Sequence, residues 1–97
     1  MNKLQHALDR IEKLNFNVKR VDIYGEVYNC SVRFIVILDL EQGQHIEVTM
    51  MEMYGQNLCD YYEEIISFYD KFTNKCEKYI KNNYDFNVRI NKLTKEK

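Results

Sequence analysis

The sequence predicts an α+β fold, a mostly antiparallel sheet with two helices packed on one of its faces, in the order αβββαβ. Three observations carry this. Apolar residues recur at spacings of three and four near the N-terminus and again from Leu58 onward, as in amphipathic helices. Between these stretches, apolar and polar side chains alternate with a period of two through three successive segments. A last alternating segment, Tyr84, Phe86, Val88 and Ile90, follows the second helical stretch.

In chain order, Leu4, Ala7, Leu8, Ile11 and Leu14 make one apolar stripe, with Asn2 as a cap and Asn15 as a stop. Phe16 and Val18 then alternate, and Val21 and Ile23 resume one residue out of step, which predicts a first strand bulged at Lys19 and Arg20. Gly25 is expected to turn the chain. Val32, Phe34, Val36, Leu38 and Leu40 fall on one side of a long second strand, with Arg33, Ile35, Ile37 and Asp39 on the other. A hairpin loop centred on Gly43 leads to a third strand with Ile46, Val48 and Met50 on one side and Glu47, Thr49 and Met51 on the other, ended by Gly55. The second helix runs from 58 to about 81 on the stripe Leu58, Tyr62, Ile65, Tyr69, Phe72, Cys76 and Ile80, with Thr73 and Asn74 as a place where it can break. Asn82 and Asn83 stop it. The triplet FNV occurs at 16 to 18 and at 86 to 88, each time after an asparagine stop. Because the flanking segments do not match, the echo is read as one structural solution used twice, an aromatic anchoring the entry to a strand, and not as a duplication.

A chain of 97 residues has surface to bury for one core only, so a single domain is expected over residues 1 to 91, followed by a flexible basic tail at 92 to 97. The longest apolar run, residues 34 to 38, is too short to cross a bilayer, and the first residues are charged where a leader needs an apolar stretch, so a cytoplasmic location in a bacterial host cell is expected. Cys30, Cys59 and Cys76 are odd in number and widely spaced, which fits neither a disulfide framework nor a zinc site; they are expected to be small buried apolar residues. His6 and His45 have no nucleophile spaced to suit them, and the three glycines build no phosphate loop. No enzyme activity, cofactor or metal is therefore expected.

Charge is unevenly divided. Residues 34 to 70 contain eight acids and no lysine or arginine, whereas residues 71 to 97 carry eight bases and three acids. Helix-dipole compensation accounts for Asp60, Glu63 and Glu64 at the start of the second helix and for Lys75, Lys78 and Lys81 near its end. It does not account for Asp39, Glu41, Glu47 and Glu52. If these acids gather on folding, the segment 51 to 64 is the centre of a negative surface that also offers Met51, Met53, Tyr54 and Tyr61 as adaptable contact area. The candidate partner-binding residues are Glu47, Glu52, Tyr54, Asp60, Tyr61, Glu63 and Glu64, and the matching partner is a basic protein groove. Ile35, Ile37 and Met51 are expected on the sheet face away from the helices, where a homodimer or partner contact would cover them.

The size, the helix, three-stranded sheet and helix layout over residues 2 to 80, the NFNVKRV entry into the first strand and the acidic middle resemble the small anti-CRISPR proteins of Gram-positive prophages. That resemblance implies an inhibitor that occupies the DNA-binding groove of a type II CRISPR nuclease with carboxylates. The αβββα order is also that of double-stranded-RNA-binding domains. Those domains, however, place bases at the start of the second helix, where this chain has Asp60, Glu63 and Glu64. Two rival readings remain: a nucleic-acid-binding module using Lys19, Arg20, Lys75, Lys78, Lys81, Arg89 and Lys92, and a structural homo-oligomer whose acidic and basic zones pair.

Overall fold

The N-terminal stripe folds as helix α1 (Asn2–Lys13), which buries Leu4, Leu8 and Ile11. A computed structural model describes residues 1 to 96; Lys97 lies outside the described residues. Asn2 is already helical and makes no cap, but the C-terminal stop is as expected. Asn15 adopts the left-handed conformation at φ 58°, the Asn15 amide donates to the Glu12 carbonyl, and the Phe16 amide donates to the Ile11 carbonyl at 3.1 Å. This is a Schellman closure, with asparagine in the position glycine usually takes and Phe16 returning over Ile11.

Three ten-residue strands follow, β1 (Val18–Val27), β2 (Ser31–Leu40) and β3 (His45–Tyr54). They form an antiparallel meander, with the expected bulge between Val18 and Arg20. Helix α2 (Tyr62–Asn83), entered through a short 3-10 turn (Leu58–Tyr61), runs unbroken past Thr73 and Asn74. It returns the chain to the far side of β1, where β4 (Asn87–Ile90) pairs in parallel. The sheet order is β3-β2-β1-β4, and a two-residue strand, β5 (Thr94–Lys95), continues the β4 edge along β1. The fold class is the predicted one, α+β with both helices on a single face.

The core lies between sheet and helices. Val21, Ile23 and Val27 from β1 and Val32, Phe34, Val36 and Leu38 from β2 meet Leu4, Leu8, Ile65, Tyr69 and Ile80 from the helices. Phe34 packs edge-on against Tyr69 with ring centres 5.2 Å apart. The two FNV segments lie side by side: Phe16 and Phe86 border one hollow together with Ile11 and Tyr84, and the strands they introduce pair in parallel with Val21 opposite Val88. Among the described residues no helix is long and apolar enough to cross a membrane.

Two expectations are corrected. Gly25 does not turn the chain but continues β1, on the same face as Ile23 and Val27. A Cβ there would stand 2.5 Å from Leu93 and 2.7 Å from the Tyr69 ring, so glycine is needed for close approach within a strand. Gly25→Ala is expected to cost about 1–2 kcal/mol by overpacking, less than a rigid clash would because the Leu93 side chain can give way; urea midpoints of the two proteins check it. The second correction concerns the supposed tail. Leu93 is buried, the Thr94 hydroxyl donates to the Gly25 carbonyl, and the Glu96 amide donates to the Val27 carbonyl at 2.7 Å. Residues 92 to 96 therefore close the sheet, because β1 would otherwise present an unpaired edge along its second half.

Candidate functional site

The sheet face away from the helices carries a polar network in place of the expected apolar patch. Asp22, buried at 2% exposure, accepts from Arg20 at 3.0 Å and from Arg89 at 2.8 Å, and Arg20 also reaches Asp39 at 3.1 Å. Burial pushes the Asp22 carboxyl up, but the neighbouring Asp39 side chain and the Arg20 and Arg89 guanidinium groups outweigh it and hold the group below its ordinary value. Further along this face Glu26 accepts from Arg33 and from the Tyr28 hydroxyl, both at 3.0 Å. The hydrogen bond to Glu26 raises the Tyr28 hydroxyl above its usual range.

This network changes the account of the proposed dimer residues. Ile35 is on this face, opposite Tyr24, yet it is 3% exposed within a single chain. Ile37, opposite Asp22 and Glu47, is half-buried. Met51 is on the other face altogether. The β2–β3 register shifts between Phe34 and Ile35, so that Phe34 faces Met51 while Ile35 faces Thr49. The extra residue, Met50, makes a bulge, and a one-residue insertion moves every later side chain to the opposite face. The argument for a dimer through Ile35, Ile37 and Met51 is thereby removed.

The acidic middle of the chain is divided in space. Asp39 is spent on Arg20, and Glu41 lies in the hairpin loop at the opposite end of the strands from α2's first turn. Glu47 and Glu52 stand on the open face of β3, with Glu52 opposite Arg33. Tyr54 is 75% exposed and its hydroxyl donates to Glu52 at 2.6 Å, a bond that raises the Tyr54 pKa. Asp60 and Tyr61 belong to the 3-10 turn, and Glu63 and Glu64 to the first turn of α2. These follow β3 through residues 55 to 57, where the Gly55 and Leu58 amides donate to the Cys30 and Asn29 carbonyls. Glu52, Tyr54, Asp60, Tyr61, Glu63 and Glu64 thus share one end of the molecule and are all exposed. Among the described residues none of the four carboxylates has an ion-pair partner.

Sequence reasoning missed an apolar groove beside this end. Met51 and Met53 of β3, Val32 and Phe34 of β2, and Ile65, Phe68 and Phe72 of α2 enclose about 340 Å³. Phe68 is 64% exposed and Met53 40%. The available signal was Phe68 itself, three residues after Ile65 and four before Phe72, a large aromatic just off the buried stripe. Of the bases, Arg20 and Arg89 both turn onto Asp22, while Lys75, Lys78 and Lys81 are exposed along α2.

His6 and His45 are exposed, and among the described residues no group of three or more His, Cys, Asp or Glu side chains is placed to hold a metal ion. Only Cys76 is fully buried, its thiol pushed up to about 11 by burial. Cys59 is half-buried and Cys30, in the β1–β2 turn, is exposed, contrary to the expectation that all three are core residues. No family model, curated protein or solved structure matches the chain.

Proposed function

We propose that this protein is a non-catalytic binding module that presents an acidic, tyrosine- and methionine-containing surface to the basic groove of a nucleic-acid-handling protein. Its role would be that of a phage-encoded inhibitor of the anti-CRISPR kind. The observation that supports the reading is the end of the molecule where Glu52, Asp60, Glu63 and Glu64 stand exposed, without ion-pair partners among the described residues, together with Tyr54 and Tyr61. Arg33, directly opposite Glu52 on β2, is engaged with Glu26. Unpaired carboxylates steer and register a cationic partner, and tyrosines add contact area that loses little conformational entropy on binding.

Changing Glu52, Asp60, Glu63 and Glu64 together to lysine is expected to weaken capture of such a partner by about 100-fold or more, since each reversal sets like charges face to face. The fold should survive. All four side chains are exposed, and the loss at the α2 N-terminus is about 0.3–1 kcal/mol per reversed residue. The measurement is affinity capture from bacterial lysate, with bound proteins identified by mass spectrometry and duplex DNA added as competitor. A DNA-binding protein that is released by DNA and lost with the reversed variant is the expected result. Capture that ignores both the reversal and the DNA rejects the reading.

A further inference from the structure

Resting on the protein-binding reading above, we propose how the partner is held: an extended segment of alternating apolar and basic residues adds as a strand to the outer edge of β3. Its apolar side chains enter the groove beside Phe68, and its basic ones meet Glu47 and Glu52.

The sheet has one long free edge. β1 is closed on its far side by β4 and β5, whereas among the described residues no strand pairs with the outer side of β3. Exposed edges of this length are normally blunted or covered. Helix α1 does this for the first half of β3, where it packs beside Ile46 and Val48 and sends Lys3 Nζ to the Thr49 carbonyl at 3.5 Å. Among the described residues the half from Met50 to Tyr54 has no such cover, and it is there that the groove between Met51, Met53 and Phe68 opens.

An added strand directs alternate side chains to opposite faces. On the helix-bearing face those side chains meet a recess lined by apolar groups. On the open face they meet Glu47 and Glu52, both exposed and without ion-pair partners among the described residues. This charge pattern selects the occupant. Two copies of β3 paired antiparallel about a two-fold axis would oppose Glu47 and Glu52 of one chain to those of the other, and like charges across a ladder are unfavourable. A strand with lysine or arginine at alternate positions satisfies the face that a second copy repels.

The probe is a synthetic peptide of about eight residues alternating valine and lysine. It is compared with two analogues N-methylated at alternate backbone amides, one on the valine and one on the lysine amides, and with a counterpart carrying glutamate for lysine. Titration into labelled protein, followed by amide chemical shifts and hydrogen exchange, is expected to perturb and protect residues 50 to 54 and to shift Phe68. Phe68→Ala should weaken binding about 10-fold, the loss of one apolar contact. The analogue methylated on the edge-facing amides and the glutamate counterpart should not bind. Three results overturn the proposal: no binding at about 1 mM peptide, equal binding by both methylated registers, or self-association of the free protein that Phe68→Ala abolishes. The two readings fail separately. Lysate capture lost on the four-residue charge reversal but indifferent to Phe68→Ala keeps the acidic surface and removes strand addition. Peptide pairing on β3 with capture indifferent to reversal of Asp60, Glu63 and Glu64 alone, Glu52 being kept, does the opposite.

Discussion

Replacing Leu93 with alanine is expected to destabilise the protein by about 2–3 kcal/mol, a large share of the margin of a domain this size. A lone leucine in a lysine-rich terminus has no obvious claim to such weight. Its side chain, however, is 8% exposed and fills the space above Gly25 that the missing Cβ leaves open. Its own carbonyl accepts from the Tyr62 hydroxyl at 3.0 Å, and beside it the Tyr69 hydroxyl donates to the Asn91 carbonyl at 2.6 Å. Tyr69 is deep enough that burial raises its hydroxyl to about 12, so it remains a neutral donor across the ordinary pH range. Deleting most of the Leu93 side chain leaves a void between Gly25 and Tyr69 that neither can fill. The figure is set near the low end for a buried leucine because the site borders an open hollow with Ile90 and Lys92, into which solvent can relax. Urea denaturation measures the change. A midpoint shift within error of zero would show that residues 92 to 96 are a loose tail after all.

Asp22→Ala is the second large effect, about 2 kcal/mol at neutral pH. Removing one member of a buried ion pair usually costs more, because the remaining charge is stranded. Here Arg20 and Arg89 keep 38% and 53% of their side-chain exposure, so both can return to water, and the loss is mainly that of the charge-assisted bonds joining β1 to β4. The pH dependence follows from the downward shift of Asp22. With its folded pKa below the unfolded value of about 3.9, the native state binds fewer protons than the unfolded chain in acid. The stabilisation is complete above the unfolded value and is lost as pH falls through the folded one. Urea midpoints at neutral and acidic pH should therefore converge for wild type and Asp22→Ala as the solution is acidified. A difference that stays constant down to low pH would show that Asp22 acts through packing and not through its charge.

Much of the architecture is legible in residue spacing because helices and strands have fixed periods. The stripe from Leu4 to Ile11, the alternation from Val32 to Leu40 and the shift at Lys19 and Arg20 each map onto an element with bounds close to those observed. What escapes is decided by single residues whose effect depends on something distant. Gly25 sits in phase with Ile23 and Val27 and was open to being read as strand, but the reason for a glycine there, the approach of Tyr69 and Leu93, comes from residues more than forty positions away. Met50 and Met51 are both apolar, so the bulge leaves no mark at its own position; the sign of it is one residue on, at Glu52, which an unbroken alternation would turn toward the core.

The candidate site was less legible for the same reason. The acids at 52, 60, 63 and 64 reach one end together because β3 runs directly into the start of α2, a local connection. Asp39 was counted among them, yet its fate depends on Arg20 across a strand pair. Asp22 looked unremarkable between Val21 and Ile23; its importance rests on Arg89, brought alongside only by the parallel return of β4. Charge counts along a chain cannot anticipate which opposite charge will become a neighbour, whereas the position of an acid at a helix start can be read directly.

The parallel closure of β1 also fixes an order of events during synthesis. Strand β1 leaves the ribosome before the whole of β2, β3 and α2, and the residues that cover its outer edge follow only after them. The helix and hairpins made earlier can assemble as they emerge, while the flank awaiting β4 and β5 stays open until residues 87 to 95 have been made. Between the synthesis of β1 and that of β4 the nascent chain therefore carries a central strand of the finished sheet as an exposed margin. Slowing elongation lengthens that exposure to foreign strands, and it does so through the residues that look least structural in the sequence.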